Sequence, residues 1–272
     1  MRLPAKDTHD FQQHVWGHYD RHGRDMPWRR NTSLYHVLVS ELMLQQTQVT
    51  RVIPKFEAFM QRFPDVQSLA SSSLADVIVM WQGLGYNRRA KYLHEAARRI
   101  VERGEPTTRE ALLDLPGVGI NTAGAIMAYT YNQPGVFVET NVRTVYIHHF
   151  FADQSSVNDR DIATLVEQTL DRDNPREWYW AIMDYGSYLK QTDTRLHQSR
   201  QYKKQPPLRG SLREMRGRIV RHMSQYLSCD LASLRDELAD ERFDTALAGL
   251  VADGLVTHRA GQISLTGADK TS

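Results

Sequence analysis

The sequence predicts a mainly helical fold. Apolar residues recur with helical spacing along most of the chain, most clearly in residues 34–42 and 74–81. Strand-like alternation is nearly absent before residue 250, and prolines and glycines interrupt the chain at regular intervals. We therefore expect about ten helices before residue 200.

A second, smaller unit is expected after residue 205. The segment Gln205–Gly210 contains tandem prolines, which are incompatible with a helix, and is predicted to be a linker. Beyond it we predict three helices and then two strands, at residues 211–227, 231–238, 242–253, 254–258 and 262–265. This order resembles a winged helix, which contacts DNA or protein. The predicted domains are thus a helical domain over residues 1–205 and a winged-helix-like module over residues 211–272.

Composition restricts the class of protein. The 272 residues are 41% hydrophobic and 24% charged, and no apolar run approaches the roughly 20 residues needed to cross a bilayer. The first 16 residues lack the apolar core of a secretory signal. Cys229 is the single cysteine, so an internal disulfide framework is excluded and a reducing cytoplasm is expected.

Positive charge is concentrated in one segment, the basic strip from Arg195 to His222. It contains nine Lys and Arg residues against Glu214, whereas the whole chain has a net charge of only +2. Such asymmetry favours a surface facing a polyanion, and Lys203 and Lys204 are candidate DNA contacts within it. A solvated basic linker is the alternative.

A tight turn between two helices has the pattern of a phosphate-binding hairpin. The candidate contacts are Leu115, Gly117, Val118, Gly119 and Thr122. The glycines allow close backbone approach, and the helix that follows offers unpaired N–H groups to a phosphate. An ordinary glycine turn between core helices is the alternative.

These motifs resemble a known family. The run LPGVGINTAGAI, with the acidic segment about twenty residues later, resembles the helix-hairpin-helix base-excision superfamily that includes endonuclease III. Two longer runs, SELMLQQTQVTRVIPKFEAFMQRFP and MWQGLGYNRRAKYLHEAA, resemble its adenine glycosylases. The resemblance implies a two-lobed helix-hairpin-helix glycosylase fold, with one lobe at about 30–130 and another made of residues 1–29 and 131–195. It also implies double-stranded DNA with a mismatched or damaged base as the partner, bound by a monomer.

Base excision needs an acid for the leaving base and negative charge near the sugar cation. Glu41 lies on an apolar helix, where desolvation should favour the protonated form that a general acid requires, and it occupies the family's acid position. Glu139 stands where the superfamily places a catalytic aspartate, so it keeps the charge but adds a methylene. Each could instead be structural, Glu41 as a surface or ion-pair residue and Glu139 as a helix-start carboxylate or partner of Arg143.

Asn121 stands where lyase-type relatives carry lysine. An amide cannot form a Schiff base with the abasic sugar, so the resemblance implies hydrolysis without strand cleavage. Capping of the following helix is a second role open to Asn121.

Polar residues are predicted to fill the gap left by an extruded base and to contact the base opposite it. In the family's pattern Gln46 and Tyr86 take this role, with Gln48 beside them. Arg88, followed by Arg89 and Lys91, offers phosphate contacts. Packing or solvent exposure is the alternative for each.

Relatives usually carry a four-cysteine iron–sulfur cluster just after the segment matching residues 183–186. Residues 187–209 contain no cysteine, so we predict no cluster and no other cofactor. Three functions stay open: an adenine glycosylase acting opposite guanine or oxidised guanine, a thymine or uracil mismatch glycosylase, and a DNA-binding regulator without catalysis.

Overall fold

A computed structural model describes residues 2–193, 195–203 and 205–268. These residues form two compact units. The first contains the described residues of 1–37, 107–114 and 118–204, and the second those of 38–106, 115–117 and 205–272. Within the described ranges, none of the helices is long and apolar enough to cross a membrane.

The first unit is helical. Its elements are α1 (Ala5–His22), α2 (Pro27–Arg30), the start of α3 (Leu34–Leu44), α8 (Arg109–Leu113), α9 (Ile120–Tyr131), α10 (Thr140–Phe150), α11 (Asp159–Thr169), α12 (Pro175–Thr192) and a 3-10 turn at Arg195–Gln198. An aromatic cluster forms its core, in which the Phe11 ring lies 5.3 Å from that of Tyr146 and 6.0 Å from that of Trp178. The core thereby joins α1 to α10 and α12.

One buried carboxylate ties the chain around α2 to α12. The side chain of Asp184 is 1% exposed and accepts hydrogen bonds from both Arg24 and Arg29, at 2.8 Å to 2.9 Å. Burial alone would raise the pKa of Asp184, but the two guanidinium groups hold it below its ordinary value. This ion triad therefore compensates the desolvation of its own charges.

The second unit contains the remaining elements. They are the rest of α3, α4 (Val49–Arg62), α5 (Val66–Ser71), α6 (Leu74–Trp81), α7 (Arg88–Arg103), α13 (Leu212–Tyr226), β1 (Ser228–Asp230), α14 (Leu231–Leu238), α15 (Phe243–Ala252), β2 (Val256–Arg259) and β3 (Gln262–Leu265). Phe59 and Trp81, both fully buried, pack with ring centroids 6.3 Å apart. The apolar spacing of residues 74–81 thus faces the core.

The C-terminal segment has the element order expected of a winged helix. Its strands form an antiparallel sheet in the order β1-β3-β2, with Ile263 of β3 paired to Cys229 and to His258. The mainly helical fold and the winged-helix-like module predicted from the sequence are confirmed. The strand β1 was not predicted, because three residues are too few to show an alternating pattern.

The compact units differ from the expected domains, because residues 205–268 group with residues 38–106. Asp253, at the end of α15, explains this grouping. Its carboxylate, 8% exposed, pairs with Arg88 of α7 and with Arg216 of α13, and its backbone oxygen accepts a 2.9 Å hydrogen bond from Lys91. The sequence placed residues 107–114 and 118–130 in the lobe at about 30–130. In the structure they belong to the first unit, together with α10 to α12.

Loss of the buried carboxylate at position 184 should destabilise the protein. Asp184→Asn leaves two guanidinium groups without their anion and should cost about 3–5 kcal/mol of unfolding free energy. Asp25→Asn is the control, since it removes an exposed carboxylate paired with Arg30 and should leave the melting temperature unchanged. The depressed pKa of Asp184 adds stability above the unfolded value of about 3.9, so the difference between wild type and Asp184→Asn should shrink as pH falls below about 4. Equal melting temperatures for the two variants at neutral pH would contradict this role.

Candidate active site and nucleic-acid interface

In the first unit, Glu139 forms the N-terminal cap of α10. One carboxylate oxygen accepts hydrogen bonds from the backbone N–H groups of Asn141 (2.6 Å) and Val142 (3.2 Å). The negative charge complements the helix dipole, and the side chain is half-buried. These two hydrogen bonds fix the orientation of the carboxylate, which folds back onto its own helix.

Asn121 braces the strand-like segment that leads into Glu139. Its amide nitrogen donates to the Val138 carbonyl (2.8 Å) and its amide oxygen accepts from the Val138 N–H (3.3 Å). The N-cap residue of α9 is Gly119, and no side chain forms a capping hydrogen bond at this end of the helix. The alternative in which Asn121 caps α9 is therefore wrong. The amide is instead occupied by the residue immediately before Glu139.

Two cations lie in the electrostatic environment of Glu139. Arg143 forms its hydrogen-bonded ion pair with Asp159, with nitrogen–oxygen distances of 2.6 Å and 2.8 Å, and the charge of Glu139 acts on it in addition by helping to raise its pKa. Burial lowers the pKa of Lys190, and the charge of Glu139 opposes that shift. Lys190 is the lysine that sequence reasoning missed, because it lies about fifty residues from Glu139 along the chain.

Glu41 lies on α3 in the second unit. It is half-buried and precedes Leu42 and Met43, both of which are fully buried. Glu41 thus belongs to a helix whose neighbouring residues are packed in an apolar core. Its catalytic role stays a prediction.

The predicted phosphate hairpin has an open backbone and buried side chains. Leu115 and Val118 are each only 7% exposed, so their side chains are packed inside the protein. Two observations favour glycine at position 117. Its φ is +80°, and a Cβ there would lie 2.8 Å from Leu42 Cδ2. A Cβ at Gly119 would meet nothing within 4 Å. The half-buried Thr122 follows in the first turn of α9.

Gln46 and Tyr86 share an unusual backbone conformation. Their φ angles are +55° and +48°, in the left-handed region that residues other than glycine rarely adopt. Such strain persists only where surrounding contacts impose it, and it is common at functional sites. Gln46 is exposed and Tyr86 is half-buried.

Arg89 contacts the chain on either side of these two residues. Its guanidinium donates to the carbonyl oxygens of Leu42 (2.6 Å) and Met43 (2.9 Å), which are among the last carbonyls of α3. It also donates to the carbonyl of Gly85 (2.9 Å) and the hydroxyl of Thr47 (3.0 Å). Burial lowers the pKa of Arg89 to about 10, so the side chain stays charged at neutral pH.

The expected phosphate contacts after Tyr86 are therefore wrong in part. Arg89 is 6% exposed and is used inside the protein. Arg88 pairs with Asp253, and Lys91 donates to the Asp253 backbone, so both hold the C-terminal module. The Arg88 side chain is 54% exposed, and its contact with phosphate stays a prediction.

The basic strip is partly neutralised by the protein itself. In the first unit Arg195 pairs with Asp193, and in the second unit Arg216 and Arg218 pair with Asp253 and Asp240. Lys203 and Arg209 are exposed, whereas Lys204 lies outside the described residues. The surface available to a polyanion is thus smaller than the sequence count suggests.

A cavity of about 650 Å³ lies within the second unit. Gln46, Gln48 and Tyr86, three of the predicted DNA contacts, are among its lining residues. Gln205 and Arg213, from the linker and α13, also line it. Sequence reasoning missed these two residues because more than a hundred positions separate them from Tyr86.

The residues present do not fit an iron–sulfur cluster. A cluster needs several thiolates, and the chain has only Cys229, whose sulfur lies 3.6 Å from that of Met223. In the part of the chain that the structure describes, no group of three or more His, Cys, Asp or Glu residues is arranged to hold a metal ion.

Comparison with known proteins places the chain in a family. Residues 39–169 match the HhH-GPD superfamily of base excision DNA repair proteins. The chain is 34% identical over 280 residues to the adenine DNA glycosylase of Mycobacterium tuberculosis, covering 92% of this chain and 91% of that protein. It is 33% identical over 187 residues to the adenine DNA glycosylase of Buchnera aphidicola from Schizaphis graminum, covering 66% and 54% of the two chains. The chain thus spans about half the length of the Buchnera relative.

A solved structure shares the fold. The structure of a thermostable thymine-DNA glycosylase superposes with a TM-score of 0.61 at 23% identity, covering 67% of this chain and 87% of that one. The chain belongs to the helix-hairpin-helix superfamily of base excision DNA repair proteins. Within that superfamily, both relatives named above are adenine DNA glycosylases.

Replacement of Arg89, the buried arginine of α7, should loosen the two loops that carry Gln46 and Tyr86, which we call the predicted DNA-reading loops. Arg89→Met removes the side-chain donor to the buried carbonyl oxygens of Leu42 and Met43 and should cost about 3–5 kcal/mol of unfolding free energy. Arg89→Lys should also lower the melting temperature, because one ammonium group cannot reproduce a planar set of donors. Arg103→Met, at an exposed position of the same helix, is the matched control and should melt like wild type. A melting temperature for Arg89→Lys equal to that of wild type would show that the hydrogen bonds do not hold the loops.

Proposed function

We propose that the protein is a monofunctional DNA N-glycosylase that removes adenine opposite guanine or oxidised guanine. The observation that carries the proposal is the fixed carboxylate of Glu139, held by two N–H groups of α10 and braced through Asn121 and Val138. The identity to adenine DNA glycosylases, over 92% of the chain in one case, supports adenine as the base.

The partner in this proposal is double-stranded DNA carrying a mispaired base, bound by a monomer in the cytoplasm. The open backbone of the hairpin supports phosphate binding, since Gly119 faces no neighbouring side chain and the N–H groups of α9 follow it. Such contacts hold the duplex in register without reading its sequence. The target base must then leave the stack before its glycosidic bond can be reached.

The chemistry divides between two carboxyl groups. Glu41 donates a proton to the departing adenine, which makes the base a better leaving group. The negative charge of Glu139 stabilises the positive charge that develops on the sugar, and water completes the hydrolysis. Asn121 offers no amine to attack the sugar, so the abasic strand is left intact.

The base released from defined duplexes tests the substrate. Duplexes with A opposite G, A opposite oxidised G, T opposite G and U opposite G are incubated with the protein, and the free base is identified. Adenine release from the first two supports the proposal. Release of thymine or uracil alone would instead support the mismatch-glycosylase alternative, and binding without release would support a regulator.

The two carboxylates should respond differently to substitution. Glu41→Gln removes the acid at nearly constant shape and should lower adenine release by about 10² to 10⁴ while DNA binding survives. Glu139→Gln should be similarly damaging, whereas Glu139→Asp keeps the charge and should retain substantial activity. Single-turnover rates on the best duplex are the measurement. Near wild-type release by Glu139→Gln would mean that this carboxylate is only a helix cap.

Product strands should remain uncut until alkali is added. Asn121 cannot form an imine, so borohydride should trap no covalent complex between wild-type protein and DNA. Asn121→Lys restores an amine at the position used by lyase-type relatives and should yield a trapped complex. Lys190→Ala is the control for an adventitious amine near Glu139. Trapping by wild type that disappears in Lys190→Ala would replace hydrolysis with a lyase mechanism.

A further inference from the structure

The linker and α13 meet the predicted DNA-reading loops at one side chain, Tyr86. The Tyr86 hydroxyl accepts hydrogen bonds from the amide of Gln205 and from the guanidinium of Arg213, the latter at 2.7 Å. The Arg213 guanidinium carbon also lies 5.4 Å from the centre of the Tyr86 ring. The amide of Gln205 reaches the Gln46 side-chain oxygen at 3.5 Å. Both residues that the sequence assigned to the gap left by an extruded base are therefore contacted from the C-terminal part of the chain.

Arg213 differs from its neighbours in the character of its partners. Arg216 and Arg218, one turn further along α13, pair with the carboxylates of Asp253 and Asp240. Arg213 donates instead to two neutral acceptors, the Tyr86 hydroxyl and the Pro206 carbonyl at 3.1 Å. Its charge is thus held in place against the cavity by groups that do not neutralise it, and the guanidinium is oriented before a ligand arrives.

The chemistry of the cavity favours a nucleobase. Its volume of about 650 Å³ is typical of sites for small molecules, and its lining combines an aromatic ring with the amides of Gln46, Gln48 and Gln205. A guanidinium presents two parallel donors, which match the adjacent O6 and N7 acceptors of guanine better than those of any other base. Amide groups both donate and accept, so they complement the remaining polar edge of a purine.

On the basis of the proposed function, we propose that Arg213, positioned by Tyr86 and assisted by Gln205, determines specificity for guanine opposite the excised base. The winged-helix-like segment then acts through the first turn of α13 rather than through α15. The exposed positions of α15 support this assignment, since they include Asp244, Thr245 and Val251 and carry no basic side chain in the described helix.

Binding to an uncleavable product mimic tests the proposal without requiring catalysis. The probes are short duplexes with a tetrahydrofuran abasic analogue opposite G, oxidised G, C or T. Wild type should bind the G duplex at least about tenfold more tightly than the C duplex, as one good bidentate contact provides. Arg213→Lys keeps the charge but loses the paired donors, so this preference should fall by about tenfold while affinity for the C duplex changes little. Gln205→Ala should reduce the preference in the same direction.

A phosphate contact by Arg213 predicts a different pattern. Arg213→Gln would then weaken all four duplexes equally and reduce the salt dependence by about one counterion, and Arg213→Lys would restore both. That result would overturn the proposal, as would equal wild-type affinity for the G and C duplexes. Arg103→Gln, an exposed substitution of the same kind on α7, should leave every affinity unchanged.

The outcomes for function and specificity remain distinguishable. Failure of wild type to release adenine from any duplex contradicts the proposed function alone, because the binding experiment does not involve excision. Conversely, normal adenine release with an unchanged G preference in Arg213→Lys contradicts only the role of Arg213. Melting temperatures equal to wild type for both Arg213 variants establish that lost preference does not reflect unfolding.

Discussion

The buried guanidinium of Arg89 is the contact on which the candidate DNA-reading surface of the second unit depends. Taking this charge out of water is costly, and the cost is offset by carbonyl oxygens at the end of α3 and in the loop before α7. The two α3 carbonyls, of Leu42 and Met43, belong to the last turn of the helix, where carbonyl oxygens have no intrahelical donor. One side chain therefore fixes two loops against each other, and the loops carry Gln46 and Tyr86 in left-handed conformations. The hydrogen bonds of Arg89 hold the backbone on either side of these strained positions.

In the first unit, a few local hydrogen bonds fix Glu139 in a similar way. The carboxylate is fixed by its own helix, and the segment that carries it is fixed by the Asn121 amide through Val138. Asn121 thus has a structural role, which is to hold Val138. Its amide does this without providing the amine nucleophile that a lysine would provide. A longer side chain than aspartate folds back to reach the N–H groups at the start of α10, so the additional methylene is absorbed locally. The chemistry assigned to Glu139 requires a negative charge at a fixed place; the carboxylate provides the charge, and the start of α10 holds it in position.

The C-terminal segment has become part of the second unit through one acidic residue. The Asp253 carboxylate pairs with Arg88 and Arg216, and its backbone oxygen accepts a hydrogen bond from Lys91. These contacts hold α13 beside the loop that contains Tyr86. Basic residues that the sequence assigned to phosphate are used for this attachment. The basic residues that remain accessible are consequently fewer, and Arg213 stands out among them because its partners are neutral.

The sequence by itself determined the helical class, the winged-helix-like order of the C-terminal elements and the hairpin glycines, because each follows from periodicity or from backbone preferences within a few residues. It also singled out Gln46, Tyr86, Glu41 and Glu139 through a resemblance that rests on long contiguous motifs. Only the tertiary structure decided which charged side chains form contacts within the protein. Arg88 and Arg89 are adjacent residues of the same type, yet Arg88 pairs with the distant carboxylate of Asp253, whereas Arg89 is buried beneath two loops. The partnership of Tyr86 with Gln205 and Arg213 was likewise beyond sequence reasoning, since it joins residues more than a hundred positions apart and depends on how helices pack, which no local pattern records.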